Sequence, residues 1–254
     1  MDPSSRDRFR YFLKDSVRQI VDFRNTDQHR GIAPPPLEKP VPDKAHLIDL
    51  VPVKDLHDIS VLNVFAAIAS RKSRRVFSSE PLTLKELSFL LWATQGIRKV
   101  AGEGSAFRVV PSAGCRHALE TYLCVLNVRG MEEGIYRYLP IEHRLLLVSQ
   151  PSHLSVRISE AALGQDFVGK SAVAFVWTAV PYRMEWRYDM AAHKVIALDA
   201  GHVCQNLYIS CEAISAGTCA VAAYHQELMD NLLGVDGDEE FTIYLAPVGK
   251  SRAD

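Results

Sequence analysis

A chain of 254 residues with 48% hydrophobic, 9% aromatic and 23% charged residues has ordinary globular proportions, which exclude a disordered, collagen-like or low-complexity protein. Its 29 Lys and Arg balance 30 Asp and Glu to a net charge of −1, so no long-range field draws it onto nucleic acid or an anionic membrane. The apolar run 172–180 falls far short of the roughly 20 residues that cross a bilayer, the N-terminus lacks a secretory apolar stretch, and the five cysteines contain no CxxC, which together predict a cytoplasmic protein with reduced thiols.

Residues 5–24 space Phe9, Phe12, Leu13, Val17, Ile20 and Phe23 three or four apart behind Ser5 as N-cap, predicting an amphipathic helix. Five prolines between Pro34 and Pro42 predict an extended strap, and the boundary between this extension (1–42) and the main domain (43–254) falls near residue 42. The apolar stripe of the extension is expected to dock on the main domain or on a second subunit.

A helix over 61–70 runs into Arg71-Lys72-Ser73-Arg74-Arg75. Thr83 and Glu86 form a capping-box pattern, opening a helix that ends at Gln95-Gly96. A Gly-rich loop, 101–105, then leads to Pro111-Ser112-Ala113-Gly114, a natural place for a small ligand to meet backbone. Strands are expected at 121–128 and 171–180, a hairpin at 134–139 and 144–148, and a helix at 155–163. A long helix over 192–215, ended near Ala216-Gly217, carries Asp199, His202, Gln205 and Asn206 as a polar seam among core residues. A strand at 219–224, a helix at 226–233, a turn at 236–237 and a last strand at 241–245 complete an α+β domain with a mainly antiparallel sheet.

Arg71, Lys72, Ser73 and Arg75 put three cations and a hydroxyl within five residues, the groups that match phosphate oxygens; the same run also reads as a solvated helix end. Pro111–Gly114 can seat a planar ring against backbone with the Ser112 hydroxyl beside it, and equally reads as a plain turn. No GxSxG, HExxH, Walker A or GxGxxG motif is present, which removes the main support for hydrolase and P-loop functions. His193 and His202 stand nine residues apart with no completing ligands, so no metal site is expected.

Taken in order, these segments resemble the nitroreductase-like FMN-dependent oxidoreductases, in particular their SagB-like, azoline-oxidase branch. The resemblance rests on Arg71-Lys-Ser-Arg-Arg75-Val-Phe77, Leu87-Ser-Phe-Leu-Leu-Trp-Ala-Thr-Gln-Gly96, Arg108-Val-Val-Pro-Ser-Ala-Gly114 with Glu120, Gly134-Ile-Tyr-Arg-Tyr138, Leu198-Asp-Ala-Gly-His-Val203 with Gln205-Asn206, and Val248-Gly249. It implies an α+β nitroreductase-like fold, a mainly antiparallel sheet flanked by helices around a long core helix, and an obligate homodimer with FMN at the subunit interface. Carried over, Arg71, Lys72, Ser73 and Arg75 hold the flavin phosphate and a ring edge, and Pro111, Ser112, Ala113 and Gly114 lie against the ring. Val221, Ala222 and Ala223 bring backbone near flavin N5, and Lys250 and Arg252 are further phosphate contacts.

The azoline-oxidase members carry a catalytic Lys-Tyr pair. The corresponding stretch here is Trp186-Arg-Tyr188, so Arg187 stands in the lysine's place and Tyr188 is expected as the substrate-side proton donor. The activity implied first is NAD(P)H-dependent reduction of a nitroaromatic or quinone acceptor by ping-pong hydride transfer, with NADH or NADPH as donor. The alternatives are a SagB-like dehydrogenase oxidising an azoline-type modified peptide and a low-turnover flavin-binding protein.

Overall fold

The computed structural model of the chain describes residues 3–59 and 62–251, and of residues 3–5 and 8 only the backbone. In chain order the elements are α1 (Pro3–Leu13), β1 (Leu47–Asp49), α2 (Val64–Ser70), α3 (Leu84–Gln95), β2 (Ile97–Gly102), β3 (Ser105–Arg108), β4 (Leu119–Val125), β5 (Gly134–Leu139) and β6 (Arg144–Ser149). They continue with α4 (Leu154–Ala161), α5 (Asp166–Gly169), β7 (Val173–Ala179), α6 (Tyr182–Tyr188), α7 (Ala192–Glu212), β8 (Ala216–Thr218), α8 (Gln226–Leu233) and β9 (Phe241–Lys250).

Seven strands form one sheet in the order β1-β6-β5-β4-β7-β9-β8, and every neighbouring pair is antiparallel. The central strands β4 and β7 are buried on both faces, which is why they read as continuous apolar runs rather than alternating ones. Successive side chains of β7 serve opposite layers. Val173, Phe175 and Trp177 pack with Leu87, Leu91, Val203 and Leu207 of α3 and α7, whereas Ala174 and Val176 pack with Ile158, Val168 and Leu232 of α4, α5 and α8. The α+β architecture with a long helix against an antiparallel sheet is therefore as the residues predict.

The Thr83 capping box is formed: its hydroxyl accepts from Glu86 N–H at 3.2 Å, and the Glu86 carboxylate accepts from Thr83 N–H at 2.8 Å. The N-terminal helix is shorter than the 5–24 periodicity predicts. It runs from Pro3, with Ser5 inside it rather than capping it, stops at Leu13, and gives way to 3₁₀ turns at Ser16–Gln19 and Phe23–Asn25. Asp22 accepts from Arg24 N–H and from the Asn25 amide, local bonds that compete with a continuous helix.

Three further expectations are corrected. The Gly-rich stretch 101–105 is a hairpin of β2 and β3, turning at Glu103-Gly104, where Gly104 (φ 61°) passes so close to Pro35 that a Cβ would sit 2.6 Å from its carbonyl. The long helix ends at Glu212, and Ala216–Thr218 is already strand; Gly217 lies against Arg74, where a Cβ would meet its side chain at 2.3 Å. The strand expected at 219–224 reduces to one bridge between Val221 and Leu245, because the chain has left the sheet edge after Thr218.

The proline-rich strap crosses the sheet of its own chain. Trp186 Nε1 donates to Ile32 O (2.9 Å), Arg108 to Leu37 O (3.1 Å), and Arg137 to the carbonyls of Lys39 and Pro40 (3.0 and 2.9 Å). Lys39 N–H donates in turn to the Glu120 carboxylate at 2.9 Å. A segment without regular structure is thus fastened through its carbonyls by buried arginines.

Candidate active site

Two groups of residues gather on opposite sides of α7. On one side lies the basic segment that follows α2. Its backbone runs beside β8, with Ser73 bridged to Thr218 and Arg74 N–H donating to Thr218 O at 2.9 Å. Tyr208 of α7 organises this side: its hydroxyl meets Ser73 Oγ at 2.9 Å and accepts from Ala220 N–H at 2.8 Å, and the Arg71 guanidinium stands 5.2 Å from its ring centroid. Arg75 rests over Phe167, 5.9 Å from the centroid. Among the described residues, neither Arg71 nor Arg75 has a carboxylate partner, so both retain charge for an anion. Lys72 is exposed beside them.

On the other side lies the Pro111–Gly114 loop. Ser112 Oγ accepts from His117 N–H at 3.0 Å, and Gly114 adopts φ 58°. A Cβ on Gly114 would stand 2.7 Å from Tyr188 Oη and 3.0 Å from Arg187, so glycine is favoured by its left-handed backbone and lets both side chains pack close against the loop. Asp199 of α7 is buried behind the loop. Burial pushes its carboxyl up, against the opposing pull of the Ser112 hydroxyl, His202 and the Ala113 amide, and its Oδ2 has no hydrogen-bond partner.

Tyr188 and Arg187 end α6 half-buried, with the guanidinium 5.5 Å from the Tyr188 ring centroid. Arg187 has no carboxylate partner among the described residues. Behind them Arg116 lies over Trp186, 4.6 Å from its centroid, and donates to Arg183 O and Gly104 O. That bracing fixes the end of α6 against the β2–β3 hairpin.

Of the remaining site residues, Val221 is buried and exchanges both backbone bonds with Leu245, at 2.8 and 3.1 Å. Ala222 lines an apolar cavity of about 550 Å³, walled also by Ile196, Gly201, Ile243 and Phe12 of α1. Ala223 O accepts from Gln165 at 2.9 Å. Lys250 is not brought to the basic segment as a free cation: it is buried, ion-paired with Glu86, and donates to Ile214 O at 2.7 Å. Arg252 lies outside the described residues.

The polar seam expected on α7 is divided. Asp199 is buried and Asn206 donates to Ala93 O at 2.8 Å, but His202 and Gln205 face outward. Tyr208, Phe167 and Arg116 were not singled out by sequence, since none stands in a motif. Only the periodicity of α7, which sets Tyr208 at the edge of the apolar stripe, hinted at one of them.

Both groups fit a flavin mononucleotide. Guanidiniums at Arg71 and Arg75, without carboxylate partners among the described residues, suit a phosphate together with the Ser73 hydroxyl, and the Pro111–Gly114 backbone, bare of a side chain at Gly114, suits a flat ring.

Residues 68–250 match the family model described as "Nitroreductase family". The chain is 31% identical over 195 residues to the nitroreductase-family protein MJ1384 of Methanocaldococcus jannaschii, covering 77% of this chain and 94% of that one. It is 24% identical over 237 residues to the trifolitoxin-processing protein TfxB of Rhizobium leguminosarum bv. trifolii, covering 88% of this chain but 61% of TfxB. The fold is shared with a nitroreductase structure from Ralstonia eutropha JMP134 (TM-score 0.66, 24% identity, 87% of this chain and 99% of that one). It is shared also with a chain of the E. coli microcin synthetase McbBCD complex with truncated pro-MccB17 bound (TM-score 0.61, 19% identity, 81% and 84%).

Proposed function

The chain belongs to the nitroreductase family, and from that membership we propose that it is an FMN-dependent dehydrogenase of the SagB-like kind, oxidising an azoline-type ring in a modified peptide. The observation that carries this reading is the packing of Tyr188 and Arg187 against Gly114, in the loop assigned to the flavin ring. Relatedness to TfxB, and fold likeness to a chain of the microcin synthetase complex, support a peptide substrate with partner proteins.

FMN would supply the two-electron acceptor. Arg71, Ser73 and Arg75 would hold its phosphate, and Pro111–Gly114 would support the ring. A semi-buried dianion needs several hydrogen-bonded cations to offset its desolvation, which this set provides. Ring oxidation releases a proton besides the hydride equivalent that bound FMN would accept, and the Tyr188 hydroxyl on the substrate side would relay it, giving its own proton to water as it takes the ring's. Arg187 places a guanidinium beside that hydroxyl and favours the negative charge that develops on it during the relay. Asp199 lies buried behind the ring-supporting loop, where the Ser112 hydroxyl and the Ala113 amide oppose the upward push of burial on its carboxyl.

A homodimer completes the cradle. Asp199 and Tyr208 are nine residues apart on α7, about two and a half turns, and therefore on opposite sides of the helix. The basic segment of one protomer and the Pro111–Gly114 loop of the second would then hold the flavin between them. The exposed apolar residues Val64, Phe65 and Ile68 of α2 and Leu198 of α7 supply a surface for that contact.

A second reading, NAD(P)H-dependent reduction of a nitroaromatic or quinone, is favoured by the apolar cavity beside Ala222, which suits an uncharged ring. One set of measurements separates the readings. The absorption spectrum of protein purified without added cofactor, with chromatography of the heat-released supernatant, is expected to show FMN, and Arg71→Ala with Arg75→Ala to lose it. Turnover is then followed with an azoline-containing peptide under oxygen, by a mass loss of two hydrogens, and with NADH or NADPH plus a quinone. A colourless protein that takes up no FMN ends both readings; rapid NAD(P)H oxidation with an inert azoline peptide selects the second.

A further inference from the structure

Remote from both halves of the flavin cradle, a groove of about 620 Å³ lies between strap residues 39–46 and the end of β6. Four of its lining residues are basic, Lys39, Lys44, His46 and Arg137, and none is acidic. Lys39 is paired with Glu240, whereas Lys44 is exposed with no carboxylate partner among the described residues. Arg137 is only 4% exposed. Its Nη2 donates to the carbonyls of Lys39 and Pro40, but its Nε has no hydrogen-bond partner. Arg137 therefore contributes positive charge beneath the groove rather than a donor at its surface.

The sheet edge gives a second, independent observation. β1 covers β6 only from Arg144 to Leu146, and the last bond on that side runs from Leu147 N–H to His46 O. Val148, Ser149 and Gln150 continue beyond it, exposed, with no strand beside them on that side among the described residues. An uncovered strand end is a template for one more strand. The floor carries Leu146, Leu147 and Leu233, and the helix end that reaches it, Leu233-Gly234, is the C-terminus of α8. The apolar floor suits the side chains of an extended chain better than a small free anion.

We infer that this groove docks an extended, acidic peptide segment, which adds to the free end of β6 while its carboxylates meet Lys44 at the rim, above the buried charge of Arg137. No groove residue belongs to the proposed flavin cradle, so docking is measured independently of flavin and turnover.

The test is fluorescence anisotropy of the full chain with a labelled ten-residue peptide alternating glutamate with valine and threonine, repeated with lysine in place of every glutamate. Saturable binding of the acidic peptide is expected, weaker by about tenfold or more for the lysine version and by about tenfold in Lys44→Glu. The melting temperature of that variant should be unchanged, and bound peptide should slow hydrogen exchange at amides 148–150. No binding, equal binding of the two peptides, or an unaltered affinity in Lys44→Glu overturns the assignment. So does displacement of the acidic peptide by millimolar inorganic phosphate, which would make the groove a free-anion site.

Discussion

Glu120 and Arg183 form an ion pair in which both side chains are 2% exposed, and the same carboxylate oxygen that takes the guanidinium also accepts the backbone N–H of Lys39. One buried group therefore ties together β4, α6 and the proline-rich strap. Arg108 lies close by, fully buried, donating to Gln95 and Leu37 O; burial pulls its pKa down to about 10.

Glu120→Gln should destabilise the protein by about 3–5 kcal/mol, because Arg183 is left buried without a counter-charge. The strap should loosen at the same time, which limited proteolysis within residues 32–46 would detect. Glu120→Gln combined with Arg183→Met should recover part of the loss, since the uncompensated charge is then gone. Equal chemical-denaturation midpoints for wild type and Glu120→Gln would contradict this account.

Gly114→Ala should cost about 1 kcal/mol or more through its left-handed backbone, and its Cβ would drive Tyr188 and Arg187 from their places. The expected readout is weaker FMN uptake measured by fluorescence quenching. Adding Tyr188→Phe removes the hydroxyl that the new methyl meets, so the double variant should bind FMN better than Gly114→Ala alone.

Phe65→Glu should shift sedimentation from dimer toward monomer and lower FMN occupancy with it. Phe65 is 81% exposed within a single chain, the most exposed of the apolar residues on α2, so the substitution costs the protomer's own fold little. A monomer–dimer profile indistinguishable from wild type would remove α2 from the proposed interface.

Stability should fall on acidification through His117. Its Nε2–H donates to Ala106 O at 3.1 Å, and burial pushes its pKa down to about 3. An unfolded histidine titrates near ~6.5, so the unfolded state binds a proton that the folded state refuses. The contribution is complete above that value and is lost as pH falls toward 3, amounting to at most about 5 kcal/mol. His117→Asn, which tolerates φ 48°, should flatten this acid limb in urea titrations between pH 7 and pH 4.

Local physical chemistry was sufficient for most of the elements. The Thr83 capping box, the α3 and α7 periodicities, the β5–β6 hairpin and the doubly buried β4 and β7 all follow from short-range patterns, and the structure has each of them. The basic segment and the Pro111–Gly114 loop were visible as short runs too, but each alone also reads as a solvated helix end or a plain turn, and only their order along the chain with the other segments singled them out.

What the tertiary structure decided involves partners far apart in sequence. The long helix stops at Glu212 because the chain must enter the sheet at Ala216, beside Arg74. The strap is ordered by Arg108 and Arg137, about 70 to 100 residues downstream in sequence. Lys250, an apparent cation for a phosphate, is neutralised by Glu86, and Tyr208 gathers Ser73, Ala220 and Arg71 without any motif to announce it. Periodicity fixes which face of an element is apolar, but a charge or hydroxyl is committed only when the fold selects its neighbour. Among the described residues, that selection left Arg71, Arg75 and Arg187 without carboxylates and claimed Lys250 for the interior.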